Sequence, residues 1–177
     1  MSTLSAFGKL PTLHSATILL VGTNDVFQQQ LAETILKEKQ DLKINIHLTA
    51  SLPLPVERNH IRPRIDLIVF MINVQSKYSF EDIEASLTHV DANFFLGKVC
   101  LLVTGDTVVV KNCFCPTQYQ GEIFLWLFQK RCEKVRTVTA QRLLRMLQIC
   151  AGHVSGMSSL SFSSLMKCSI EDSSYLA

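Results

Sequence analysis

The segment GTNDVFQQ, beginning at Gly22, stands where phosphate chemistry is expected. An apolar run, ATILLVG at 16–22, stops at a glycine and leads into a helical pattern. In a phosphate-binding loop of that setting, GxxxxGK[ST] turns backbone N–H groups and a lysine onto the phosphates and places a hydroxyl on magnesium. Laid on that pattern, only Gly22 fits. Phe27 stands at the second glycine, Gln28 at the lysine and Gln29 at the magnesium-binding hydroxyl. A lost charge and an aromatic ring in the cradle both disfavour a triphosphate, so neither nucleotide nor any other cofactor is expected. The contrary reading is an active GTP or ATP hydrolase with an atypical loop, which requires magnesium-dependent nucleotide affinity.

Other chemistry is sparse. The six cysteines, Cys100, Cys113, Cys115, Cys132, Cys150 and Cys168, contain no CxxC pair. With no secretory signal visible, they read as thiols in packing and loop positions. The CFC at 113–115 lacks the four ligands and the histidine spacing of a zinc site, so no metal is expected. The five histidines are scattered, and no local signature marks a nucleophile or general base. The segment 123–145 carries a net +5, from Lys130, Arg131, Lys134, Arg136, Arg142 and Arg145 against Glu133. That stripe is either a solvated or ion-pairing face or a secondary contact for DNA phosphates. Apolar residues outside a long core pattern are better candidates for function. His89, Phe94 and Phe95 close the second helix, and Leu160, Phe162 and Leu165 lie in a Ser-rich segment. Each set either covers the domain's own core or forms a docking patch for a partner.

The elements that position these residues follow from periodicity. ATILLVG reads as a buried parallel strand. The next helix is capped by Thr23 or Asn24, carries Asp25 at its positive end and runs to about Lys39, with Phe27, Leu31 and Ile35 recurring every fourth residue and Leu36 beside them. A short alternating strand follows, with Ile44, Ile46 and Leu48 on one face, half-buried near a sheet edge. TASLPLPVERNHIRPR at 49–64 holds three prolines and reads as an extended loop. IDLIVFMIN at 65–73 is the most apolar stretch and should be central. Ser79 then caps a helix to about Ala92, with Phe80, Ile83, Leu87 and Val90 buried, and GKVCLLVTG at 97–105 is another buried strand. IFLWLF at 123–128 reads as a further strand, within a segment, 106–137, that yields no trusted boundary. A last helix spans about Thr139 to Ala151, with Leu143, Met146, Leu147 and Cys150 inward, Arg142 and Arg145 outward, and Gly152 ending it.

The alternation of strands and helices implies an α/β fold of three layers with a mostly parallel sheet. The organisation expected is an N-terminal arm at 1–14, one domain at 15–156 and a Ser-rich tail at 157–177, mobile in its last part, EDSSYLA. Composition agrees, since 177 residues with 47% apolar content suffice for one core and 18% charged residues argue against disorder. The longest apolar runs, LIVFMI and IFLWLF, are six residues each against the roughly 20 that cross a bilayer, so no membrane span is expected. A net charge of +2 does not by itself call for a polyanion partner.

IDLIVFMINVQSKYSFEDIEASL resembles the fourth strand and following helix of Ras-like small GTPases, including their SFE helix start. That plan places two strands and two switch loops between the first helix and this strand, where only about 25 residues lie here. The DxxG element is replaced by TASLPLP, and the guanine-reading NKxD would fall in LVTGDT, where Asp106 lacks its Asn and Lys. The fold that this resemblance implies is a truncated small GTPase with a degenerate nucleotide site. Longer strings are more specific. TILLVGT, QQQLAETILKE, SLPLP, RPRIDLIVF, HVDANFFLGKVC and AQRLLRMLQICAGHV resemble the centromere protein M family over about 15–105 and 138–156, departing at 106–137. The resemblance implies a nuclear subunit of the inner kinetochore, at the centromere. It implies a small-GTPase-like fold that binds no nucleotide and assembles with centromere proteins I, H and K.

Overall fold

The computed structural model describes residues 4–5, 9–10, 14–23, 25–38, 42–55, 62–73, 75–105, 122–129 and 133–153, with the backbone alone for 122–129. Its order is β1 (Ser15–Val21), α1 (Asp25–Lys37), β2 (Lys43–Thr49), β3 (Leu67–Asn73), α2 (Lys77–Leu87), a 3-10 turn (Ala92–Phe95), β4 (Leu96–Gly105), β5 (Glu122–Gln129) and α3 (Glu133–Cys150). The five strands form one sheet in the order β2-β1-β3-β4-β5, and every neighbouring pair is parallel. Parallel pairing forces crossovers, and these place helices on both faces, which is why β1 and β3 are continuously apolar rather than alternating.

Strand alternation divides the core in two. Ile18 and Leu20 of β1, Val69 and Met71 of β3 and Leu102 of β4 face α1 and α3, meeting Phe27, Leu31, Ile35, Leu143 and Leu147. Their neighbours Leu19, Val21, Ile68, Phe70 and Leu101 face α2, meeting Ile83 and Leu87. On this second side, among the described residues, one short helix covers several strands, and Leu52 and Ile65 of the proline loop and Val90 and Phe94 after the helix add to the cover. The chain is thus a three-layer α/β molecule with a central β3. Between α1 and β3 the described residues contain a single strand, β2.

Several boundaries differ from the sequence reading. α2 begins at Lys77 with Ser76 at its N-cap, two residues before Ser79. Ser79 is buried in the first turn, where its hydroxyl accepts the Asn73 N–H at 2.9 Å and so ties the helix to the end of β3. The helix stops at Leu87 rather than near Ala92, because Asp91 caps a separate 3-10 turn by accepting the Asn93 N–H at 2.8 Å. Leu4 bridges the connection from the N-terminal arm, donating to His89 O at 2.9 Å and accepting from Asp91 N at 3.1 Å. α3 starts six residues before Thr139, since Thr139 returns its hydroxyl to Val135 O and Val135 packs on the core. Leu36, beside the buried stripe of α1, is 60% exposed. β5 pairs only with β4 among the described residues and lies at the sheet's edge.

Candidate functional site

At the carboxyl end of the sheet the chain turns from β1 into α1 at Gly22. The Gly22 N–H donates to Thr49 O at 3.0 Å, joining the ends of β1 and β2. A Cβ placed on Gly22 would lie 3.0 Å from both Cβ and the carbonyl oxygen of Met71, so glycine is required by the approach of β3. Phe27 turns away from the loop into the core beneath α1. Gln28 is only 2% exposed, and its Nε2 donates to Gly22 O at 2.9 Å and to Thr49 O at 3.1 Å. Two carbonyls converging on one atom require a donor there, which an amide nitrogen supplies without a buried charge. Gln29 is exposed, and with Gln28, Leu48, Thr49 and Ala50 it lines a cleft of about 170 Å³. Small-molecule sites generally occupy about 300–1,000 Å³. Of the four positions laid on a phosphate-binding loop, Gly22 and Gln28 therefore meet, with Thr49, as a seam between β1, α1 and β2, while Phe27 and Gln29 point elsewhere.

The segment that replaces DxxG is pinned as well. Leu52 is buried in the second core, its N–H donates to the Ser86 hydroxyl at 3.1 Å, and that hydroxyl donates to Asp82 O at 2.8 Å. At the end of β4, the Thr104 hydroxyl donates to Ile72 O at 3.1 Å. Asp106 lies outside the described residues.

A second polar group sits at the opposite, amino end of the sheet. Asp66 accepts the Thr17 N–H on Oδ2 at 3.0 Å, and its Oδ1 lies 3.0 Å from Arg64 Nε. Burial raises the Asp66 carboxyl pKa, against the Thr17 hydrogen bond and the charges of Arg64, Lys98 and His153. Burial lowers the ammonium pKa of Lys98, helped by Arg64. Cys150 donates to Gly97 O at 3.5 Å, and burial pushes its thiol up to about 12; the fully buried Cys100 is also pushed up. Thiols held protonated in this way are poor nucleophiles. The group stitches β3 to β1. Sequence reasoning missed Arg64 and Asp66, although two charged residues directly before the most apolar strand were the available signal.

The remaining predicted residues do not form one site. Phe94 is fully buried in the second core, so its side chain is not an exposed docking group; Asp91 starts the turn that tucks it under β4. Phe95 is half-buried against the same core, and His89 is half-buried beside Leu4. Leu160, Phe162, Leu165, Lys130, Arg131 and the CFC segment lie outside the described residues. The rest of the basic stripe divides: Arg136 turns toward α1 and donates to Gln30 Oε1 at 2.8 Å, Arg142 is half-buried, and Lys134 and Arg145 are exposed. Among the described residues no three His, Cys, Asp or Glu side chains are placed to hold a metal, and no helix is long and apolar enough to cross a membrane.

A family model described as "Centromere protein M (CENP-M)" matches residues 1–169, including the segment at 106–137. Centromere protein M of Homo sapiens is 48% identical over 174 residues, covering 96% of each chain. Centromere protein M of Xenopus laevis is 44% identical over 177 residues, covering 97% of this chain and 98% of its own. That of Danio rerio is 38% identical over 181 residues, covering 96% and 95%.

Proposed function

The chain belongs to the centromere protein M family, and from that membership we propose that it acts at the nuclear centromere as a non-catalytic inner-kinetochore subunit. In this reading it binds centromere proteins I, H and K and stabilises them by burying apolar area. One observation carries the non-catalytic part: the Gln28 amide seam, which joins Gly22 to Thr49 where a phosphate loop would hold its ligand. A γ-phosphate needs a cation and free backbone N–H groups aimed at one point. At this seam the lysine position is a neutral amide, the Gly22 N–H is committed to Thr49, and the adjoining cleft of about 170 Å³ is smaller than a nucleotide requires. The pinning of Leu52 by Ser86 supports the same reading, because the segment standing for DxxG is part of the core.

Docking is assigned to Leu160, Phe162 and Leu165 of the Ser-rich segment, with the half-buried His89 and Phe95 as further candidates. The basic stripe is less favoured as a DNA contact, since Arg136 is engaged by Gln30. The test is a melting-temperature titration with GTP, GDP and ATP plus magnesium, with co-purification of centromere protein I from the same sample. No nucleotide shift and a stoichiometric complex are expected. A saturable, magnesium-dependent rise would put the hydrolase reading first. Leu160→Glu or Leu165→Glu should abolish the complex while leaving cooperative unfolding intact.

A further inference from the structure

The sheet ends at β2, and the hydrogen-bonding phase of that strand can be derived. Ser15 pairs with Lys43, the Lys43 N–H donates to His14 O, and Thr49 O accepts from Gly22 N. In a parallel ladder such bonds alternate along the strand. Lys43, Asn45, His47 and Thr49 therefore bond to β1, and the N–H and C=O of Ile44, Ile46 and Leu48 point away from the sheet. Among the described residues nothing pairs with them. Long regular edges are normally blunted by proline, a bulge or charge. β2 keeps register over all seven residues, holds no proline, and carries Lys43 as its one residue with a permanent charge.

The two sides of this edge differ. On the α1 side, Ile44 and Ile46 are half-buried and Leu48 is 43% exposed. Gln29 lines the cleft beside Leu48, and Glu33 and Leu36, four and seven residues further along α1, share that side of the helix. The exposed Leu36 thus adds an apolar group on that side, with the exposed Glu33 between it and Gln29. On the other side stand Lys43 and His47, with the charge of Arg62 acting on His47, and β2 itself contains no acidic residue.

We propose that the free edge of β2 is a strand-addition site for an extended segment of a partner protein whose residues alternate between apolar and acidic. Its backbone pairs with Ile44, Ile46 and Leu48. Its apolar side chains lie along Leu48 and Leu36, and its carboxylates face Lys43 and Arg62. This mode takes affinity from main-chain hydrogen bonds and specificity from alternate side chains.

The probe is an eight-residue synthetic peptide alternating aspartate and valine, added to the full chain while amide hydrogen exchange is followed by NMR. The control peptide carries lysine for aspartate. With the acidic peptide at about ten times its Kd, the Ile44, Ile46 and Leu48 amides should exchange about tenfold more slowly. Asn45 and His47, already bonded to β1, should change little. Absence of this protection, equal protection by the lysine peptide, or protection centred elsewhere would overturn the proposal. So would a peptide-free chain that sediments as a dimer with these three amides protected, since the occupant would then be a second copy. Ile46→Pro removes an outward N–H without touching a β1 bond and should abolish binding. Leu36→Lys and Lys43→Glu, both at exposed positions, should weaken it several-fold if the proline variant fails to fold.

Discussion

Replacing Gln28 by alanine tests the central feature of the candidate site. The side chain is 2% exposed and makes two hydrogen bonds, at 2.9 Å to Gly22 O and 3.1 Å to Thr49 O. Buried hydrogen bonds contribute about 0.5–1.5 kcal/mol each, so their loss costs about 1–3 kcal/mol. The buried methylene removed with them adds about 0.8 kcal/mol. A total of about 2–4 kcal/mol corresponds to a fall in Tm of roughly 5–15 °C for a chain of this length. The assay is urea denaturation with a matching thermal melt. Gln28→Glu refines it, because an ionised carboxylate would face two carbonyl oxygens, whereas a protonated one can donate to one of them. Its folded pKa is then raised above the unfolded value of about 4.3, and its stability is greatest below that value and lost as pH rises. The deficit of the glutamate variant relative to wild type should therefore shrink between pH 7 and pH 5. A loss below about 0.5 kcal/mol for the alanine variant would refute the seam as a structural element. A glutamate deficit that grows on acidification would refute the donor assignment.

Gly22→Ala should cost about 1–3 kcal/mol in urea denaturation, because the new methyl meets backbone as well as side chain of Met71 at 3.0 Å. Phe94→Ala should cost about 3–5 kcal/mol, as for a core aromatic, where an exposed docking residue would leave the isolated chain's stability almost unchanged. Asp66→Ala removes the acceptor of the Thr17 N–H and the partner of Arg64, and a loss of about 3 kcal/mol or more is expected by calorimetry. Partial burial and the charge of Arg62 lower the pKa of His47 below the ordinary imidazole value of 6.5, so the unfolded chain binds that proton first. This contribution to stability is present above pH 6.5 and lost as pH falls through the folded pKa, and His47→Gln should flatten that part of the stability–pH curve.

How far the molecule could be read in advance depended on the range of the interactions. β1, β3 and β4 are apolar on both faces, and that pattern has no competing reading once Gly22 and Gly105 bound it. β2 was legible from the alternation of Ile44, Ile46 and Leu48. The start of α2 was not, because SKYS offers two serines as caps, and only the partner of Ser79, the Asn73 N–H, decides between them. Phe94 and Phe95 are equivalent in sequence. The capped turn at Asp91 sends the first into the core and leaves the second half-buried. At the candidate site the missing lysine was plain, but its replacement was not. Gln28 meets Thr49 across 21 residues, and Asp66 meets Thr17 across 49. Local pattern carries no information at that separation.

The closed loop and the shortened sheet are linked physically. A switch needs two arrangements and a ligand that binds one of them better; without differential binding no population moves. In this chain the two segments that a nucleotide would bias are tied to their surroundings, Gly22 to Thr49 through Gln28 and Leu52 to α2 through Ser86. Among the described residues one strand lies between α1 and β3, the sheet ends at β2, and nothing pairs with the outward main-chain groups of that strand. In the proposed reading these ties and that edge make the chain a fixed block rather than a switch. In the proposed role such a block acts by mass action alone. At a concentration 100 times its Kd it would stabilise a partner by about 2.7 kcal/mol, a large fraction of the stability of a typical domain. That stabilisation persists only while the block stays folded, so Gln28→Ala should weaken partner stabilisation at physiological temperature although Gln28 is buried within the chain.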